Sequence, residues 1–185
     1  PLYAQLQAGE FDVDEELACA MYEELIERAT SAGFLQYEIA NFARDALPKS
    51  KVTAHSPSDF GLWTLDIPAF ACQHNVNYWR GGSFYGIGPS ATSYVRGART
   101  KNWSNTQLYC GQLESGQRAI ESREELSPFA RAGETAAFGL RMNSGWPFAE
   151  FERATGFDLR KNWSREMSEL VERGWGRTSS GAFQL

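Results

Sequence analysis

Three observations in this sequence predict an α/β fold that gives way to a helical, winged-helix-like part. A capped amphipathic helix near the start is followed at once by a run rich in aromatic and β-branched residues, the helix-then-strand order of α/β proteins. A glycine- and aromatic-rich stretch, HNVNYWRGGSFYGIGPSATSY from His74 to Tyr94, then carries two short strand patterns. Beyond Asn105 the chain reads as helices closed by a hairpin, the order of a winged-helix module.

The first helix is expected from about Asp14 to Ala32. Asp12 with Glu15 three residues on forms a capping box, and Leu17, Met21, Leu25 and Ile26 share one face. Gly33 sits where a left-handed stop is wanted. FLQYEIANFA, Phe34 to Ala43, reads as a strand. Residues 45–71 hold three prolines and several serines and are long for a plain loop, so they read as an insertion or a lid. Phe60, Trp63 and Phe70 are apolar enough for a lid; a surface excursion is the competing reading.

SFYGIG reads as a short buried strand, TSYVRG as another, and RTKNWSN as a turn out of that region. TQLYCGQLESG is a weak helix. Ser127 caps a helix with Pro128 at its first position, and Ala132, Ala136 and Leu140 face inward. Pro147 opens a short helix containing Phe148 and Phe151, closed by Gly156. A third helix spans about Asp158 to Arg173, with Leu159, Trp163, Met167, Leu170 and Val171 inward. WGRTSSGAFQL is the closing hairpin.

The bulk numbers exclude several classes. The net charge of −5 over 185 residues disfavours binding to phosphate backbones. Cys19, Cys72 and Cys110 form no metal-binding spacing, and their odd number suits a reducing compartment. No apolar run approaches membrane-spanning length, so a soluble cytoplasmic protein is the default expectation. The opening PLYAQLQAGEF and the ending SSGAFQL both read as cut, which suggests a fragment of something longer.

The candidate chemistry centres on two stretches. In GIGPSA, Gly86, Gly88 and Ala91 fit the G-x-G-x-x-A form of a dinucleotide fingerprint, but Pro89 lacks an amide and TSYVRG is not helical. Close strand packing is the plainer explanation, and a flat adenosine lying on bare backbone is the third. In HNVNYW, His74 has Tyr78 four residues on and Trp79 five, so flat rings cluster near an imidazole that can ligate haem iron. A hydrogen-bonded core or surface histidine is the alternative, and His55 belongs in that plainer class. Glu38 is either a strand-edge residue that faces solvent or a paired arginine, or a polar group at a barrel mouth. Glu134, Arg141 and Trp146 look like packing and capping.

QYEIANFA, then HNVNYWRGGSFYGIGPSATSY, then ETAAFGLRMNSGWPFAEFERATGFDL resemble three consecutive blocks of the radical S-adenosylmethionine (SAM) proteins grouped with oxygen-independent coproporphyrinogen III oxidase. Within that group the HNxxYW block marks the haem-chaperone branch. The resemblance implies the C-terminal part of a partial (β/α) barrel over 1–104, interrupted by the insertion, and a helical C-terminal domain over 105–185. It assigns haem contact to His74, Asn75, Tyr78 and Trp79, with His74 as iron ligand. It places Val76, Asn77, Gly86, Gly88, Ala91 and Thr92 on the side of the barrel that faces SAM.

The cofactors implied are haem and, in the full-length protein, SAM and a [4Fe–4S] cluster. The cluster-binding cysteine motif of the family is absent from this sequence, so the chain alone is expected to be inactive in SAM cleavage. The partners implied are haem-accepting proteins, with no nucleic acid and no stable membrane insertion; a homodimer is left open. The competing functions are oxidative decarboxylation of coproporphyrinogen III and a winged-helix binding module.

Overall fold

The computed structural model describes residues 2–9, 12–45 and 67–185. Most of the expected insertion, with His55, Phe60 and Trp63, lies outside the described residues. Phe70 is described and exposed, so it covers nothing.

A short helix α1 (Leu2–Gln7) precedes α2 (Glu15–Ser31). The cap of α2 is Asp14, whose carboxylate accepts the Leu17 amide at 2.8 Å. Asp12, expected in that role, accepts instead from its neighbour Val13 at 2.8 Å. Asp14 wins because it stands directly ahead of the acidic first turn, three residues from the amide it satisfies. The expected inner face is not buried: Leu17, Met21 and Leu25 are all half exposed or more. No described element covers that stripe.

FLQYEIANFA is a hairpin rather than one strand. β1 (Phe34–Glu38) pairs antiparallel with β2 (Asn41–Arg44). Glu38 makes the turn: its carboxylate folds back to accept the Ala40 amide at 3.0 Å and the Asn41 side-chain amide. A side chain thus supplies the local acceptor that turn-forming Asn or Asp usually provides.

The chain then enters α3 (Gln73–Trp79). SFYGIG is not a buried strand. It joins the sheet through a single bridge, Phe84 to Tyr94, and leaves Tyr85 and Ile87 exposed. β3 (Thr92–Val95) and β4 (Ala98–Asn102) form a second hairpin, so RTKNWSN continues the sheet instead of leaving it. The connecting residues Arg96 and Gly97 both have positive φ, +50° and +86°, as a tight two-residue hairpin turn requires. After α4 (Thr106–Glu114), β5 (Ile120–Glu125) adds to β4 and completes an antiparallel sheet in the order β3-β4-β5. β5 had no sequence signal because every residue after Ile120 is polar and exposed, on both faces of the strand.

The C-terminal elements are α5 (Pro128–Gly139), β6 (Trp146–Pro147), α6 (Phe148–Thr155), α7 (Leu159–Asn162), α8 (Ser164–Glu172), β7 (Arg177–Thr178) and β8 (Ala182–Gln184). Ser127 caps α5 and Gly156, at φ +80°, ends α6, as the sequence predicts. The expected third helix is broken into α7 and α8 at Trp163, which leaves helical geometry at φ −130°. The break lets its indole stack on Phe129, with centroids 5.0 Å apart, and meet Phe151 edge-on. Ala132, Ala136, Trp146, Phe148, Phe151, Leu159 and Phe183 form the main core, flanked by the small sheet β6-β8-β7. Full burial of Trp146, Phe151 and Phe183 contributes about 1.5–3 kcal/mol per side chain.

A second core of Tyr37, Ala43, Ala71, Val76 and Met142 joins the first hairpin, α3 and the turn after α5. Mixed α/β structure therefore holds, with every strand pairing among the described residues antiparallel. No helix among the described residues is long and apolar enough to cross a membrane.

Candidate functional site

HNVNYW folds as a helix although asparagine, histidine, valine and aromatics are indifferent helix formers. Tertiary anchors compensate. Val76 is buried in the second core, the Cys72 amide donates to the Tyr37 hydroxyl at 3.3 Å, and Arg80, at the C-cap, is 3% exposed. Arg80 donates to the Gly145 carbonyl at 2.8 Å and to Ser144 Oγ at 3.1 Å, and its guanidinium lies over the Trp146 ring. Removal from water pulls the Arg80 guanidinium down to about 10, opposed by the Glu150 charge.

Helical spacing puts His74 and Tyr78 on one face, four residues apart, with their rings edge to face at 4.7 Å. Tyr78 in turn lies 4.1 Å from Phe84, and Trp79 faces Phe138 at 6.4 Å. Tyr78, Trp79, Phe84, Phe138 and Tyr94 line an open cavity of about 360 Å³, which Thr92 also lines. That volume falls in the range of small-molecule sites. Arg99 and Glu134 close one wall as an ion pair at 2.7 Å, and Arg99 makes a second pair with Glu124. The hydrogen bond that Arg99 donates to Glu134 holds its guanidinium above its ordinary value, and burial pushes the Tyr94 phenol up.

Of the residues expected to contact haem, Tyr78 and Trp79 line this cavity. His74 is exposed and lines none of the described cavities; it touches the site only through the ring of Tyr78. Asn75 is half-buried and lines none of the described cavities. The SAM-side set divides. Thr92 shares the aromatic cavity, whereas Val76 is a core residue. Asn77 donates to the Ser83 carbonyl and packs against Gly82, where a Cβ would fall 1.9 Å from its oxygen.

Gly86 is demanded by packing, since a Cβ would lie 2.3 Å from the Thr92 carbonyl oxygen. Gly88, at φ +103°, has open space instead. Asn102 donates to the carbonyls of both glycines, and the Ala91 carbonyl accepts the Asn102 amide. Asn102 also lines a larger depression of about 640 Å³ with Tyr85, Tyr109 and Arg118. Sequence reasoning missed Phe84, Tyr94, Phe138 and Arg99. Only the aromatic density of the 74–94 stretch pointed at the first two.

No protein-family model matches the chain. Among curated proteins, it is 30% identical over 134 residues to "Heme chaperone HemW" of Lactococcus lactis, covering 72% of this chain and 34% of that protein. It is 23% identical to "Heme chaperone HemW" of Bacillus subtilis over 99% of this chain and 42% of that one. The structure is similar to that of coproporphyrinogen III oxidase (HemN) from Escherichia coli, described as a radical SAM enzyme, with a TM-score of 0.58 over 89% of this chain and 36% of that one. At 14% identity this last likeness concerns the fold.

The chain is homologous to HemW haem chaperones and radical SAM domain proteins, and its fold is that of HemN. It spans roughly a third of the length of the curated relatives it matches. Those relatives include mitochondrial proteins, such as "Radical S-adenosyl methionine domain-containing protein 1, mitochondrial" of Bos taurus, 30% identical over 94% of this chain and 37% of that one.

The donor set and the cavity decide whether haem fits this chain. Flat rings, an exposed imidazole at their edge, and a buried Trp79 Nε1 without a hydrogen-bond partner among the described residues fit an aromatic ligand. A cluster is tested by its ligands. Among the described residues no group of three or more His, Cys, Asp or Glu side chains could hold a metal ion.

Glu38, left open by the sequence, is fully buried and faces Arg141 at 3.5 Å. The Arg141 guanidinium lies 4.4 Å from the Trp79 ring centroid. The arginine-paired reading is therefore the one observed, with the arginine also propping the indole of the HNxxYW helix.

Proposed function

We propose that this chain carries the haem-contacting part of a radical SAM haem chaperone, which binds haem and passes it to acceptor proteins. One observation carries the reading: α3 sets His74 against Tyr78, whose ring lines an aromatic cavity with Trp79, Phe84, Tyr94 and Phe138. Tyr78 and Trp79 would cover the macrocycle, and His74 is the side chain available to the iron, with Asn75 beside it. Haem, when bound, supplies a large π-surface and a metal with open axial positions. An exposed imidazole beside Tyr78 holds such a ligand while leaving it accessible for hand-over.

In this reading Gly88, Ala91 and Thr92 flank the SAM side of the barrel, and Gly86, Val76 and Asn77 shape its backbone. The SAM and [4Fe–4S] chemistry belongs to the full-length protein. Residues 1–104 form the end of the barrel and 105–185 the C-terminal domain. A cytoplasmic protein whose partners are haem acceptors, with a homodimer as one assembly, completes the proposal.

The test is a haem titration of the full-length protein followed through the Soret band. His74→Ala is expected to shift the band and weaken binding at least tenfold, about 1.4 kcal/mol. An unchanged spectrum and affinity would remove the iron-ligand assignment.

The likeness to the HemN fold favours a second reading, oxidative decarboxylation of coproporphyrinogen III. Anaerobic incubation of the full-length protein with coproporphyrinogen III and SAM decides it: product formation would reverse the ranking.

A further inference from the structure

Beside the aromatic cavity lies a smaller one of about 300 Å³ with a cationic wall. The two meet on Gly81, Tyr94 and Thr135, which line both. Three arginines border the smaller cavity: Arg80, Arg96 and Arg131. They are not equivalent. Arg80 is committed to Gly145, Ser144 and the face of Trp146. Arg96 and Arg131 make no ion pair with a carboxylate among the described residues. The carboxylate on the neighbouring wall, Glu134, is held by Arg99.

Backbone geometry sets the two free arginines around one space. Arg96 opens the β3–β4 turn at φ +50°, a conformation that strains a non-glycine residue. Gly97 follows it without a side chain. A Cβ there would lie 2.2 Å from Arg131 Nη1, so the Arg131 guanidinium rests against the backbone of the turn. Thr135 stands beside Gly81, where a Cβ would meet it at 3.1 Å. Two cations that share a small cavity repel each other until an anion enters. Guanidinium groups also match carboxylates with paired, charge-assisted hydrogen bonds.

We propose that the two cavities form one bipartite site for a flat ligand with carboxylates along one edge. The rings of Tyr78, Trp79, Phe84 and Phe138 take the plane, and Arg96 and Arg131 take the carboxylates. The proposal rests on the haem reading above and assigns the propionates to the arginine side. The ligand then enters in one orientation, with its carboxylate edge toward the β3–β4 turn.

Ferric haem and its dimethyl ester, titrated separately into the full-length protein, test this through the Soret band. The wild type is expected to bind haem more tightly than the ester. Arg131→Met is expected to weaken haem roughly tenfold, about 1.4 kcal/mol, and to leave the ester unchanged. Arg131→Lys, which keeps the charge, should recover part of the loss, and the exposed Arg96→Gln should reproduce the selective weakening. Equal effects on haem and ester, or none on either, would overturn the carboxylate site. A wild type that binds haem and ester alike also overturns it while leaving the haem reading standing. A wild type that binds neither overturns the haem reading, and this proposal with it.

Discussion

Arg141→Met should destabilise the protein by about 3 kcal/mol, and the structure shows where that loss arises. Glu38 has none of its surface exposed, and Arg141 Nη2 stands 3.5 Å from its carboxylate. Stripping the partner from a fully buried pair costs about 3–5 kcal/mol. Two features lower that here: the Arg141 side chain is 36% exposed, and Glu38 keeps its bonds from Ala40 and Asn41. A share of about 2 kcal/mol is reasonable on this side, between the exposed-pair and buried-pair limits. The cation over the Trp79 ring, 4.4 Å from its centroid, adds about 1 kcal/mol. With a urea slope of about 2 kcal/mol per molar, the unfolding midpoint should fall by about 1.5 M. Adding Glu38→Gln to the variant removes the stranded charge and should recover about 1 kcal/mol. A loss below about 0.5 kcal/mol in the single variant, within the range of ordinary surface substitutions, would refute the pair's role in the turn. A double variant weaker than the single one would do the same.

Two further outcomes follow from geometry. Gly86→Ala should cost about 1–3 kcal/mol by thermal unfolding, because its Cβ would strike a backbone oxygen that cannot step aside, whereas Gly88→Ala should cost only about 1 kcal/mol of backbone strain; equal losses would contradict the contact. The Asp158 carboxyl is held below its ordinary 3.8, first by its hydrogen bond from the Arg160 side chain. A carboxylate depressed on folding favours the native state above its ordinary pKa, and that contribution is lost as pH falls through the folded value. A carboxyl titration by NMR should therefore show Asp158 below 3.8 and rising in Arg160→Ala; an unmoved midpoint would show that the guanidinium is not the cause.

Local chemistry was legible where it needed no distant partner. Ser127 with Pro128 marked the start of α5, Gly156 the end of α6, and the polar Gly turn the β7–β8 hairpin. Elements that depend on tertiary contacts were not. Nothing in YEIANFA announces a turn, because the acceptor is the glutamate carboxylate and the bend is fixed by the Ile39 amide bonding to the Arg141 carbonyl. HNVNYW lacks helix formers, so α3 exists only because Val76 and Arg80 are buried against elements far along the chain. The cavity is worse still for a reader of sequence: Tyr78, Tyr94 and Phe138 come from a helix, a strand and another helix. His74, Tyr78 and Trp79 could be nominated from the resemblance, but which face of the molecule they share required the fold.

α3 is anchored at both ends. Seven helical residues make a rod of about 10 Å. Its far end is riveted by the Arg80 guanidinium to the loop before Trp146, while the imidazole projects from the first turn, where Cys72 offers no side-chain cap. The first turn is tied elsewhere, through the Cys72 amide on the Tyr37 hydroxyl and Val76 in the second core. The helix that bears the rings therefore bridges the first hairpin and the layer that carries Trp146, and a shift of one against the other is felt at Tyr78 and Trp79.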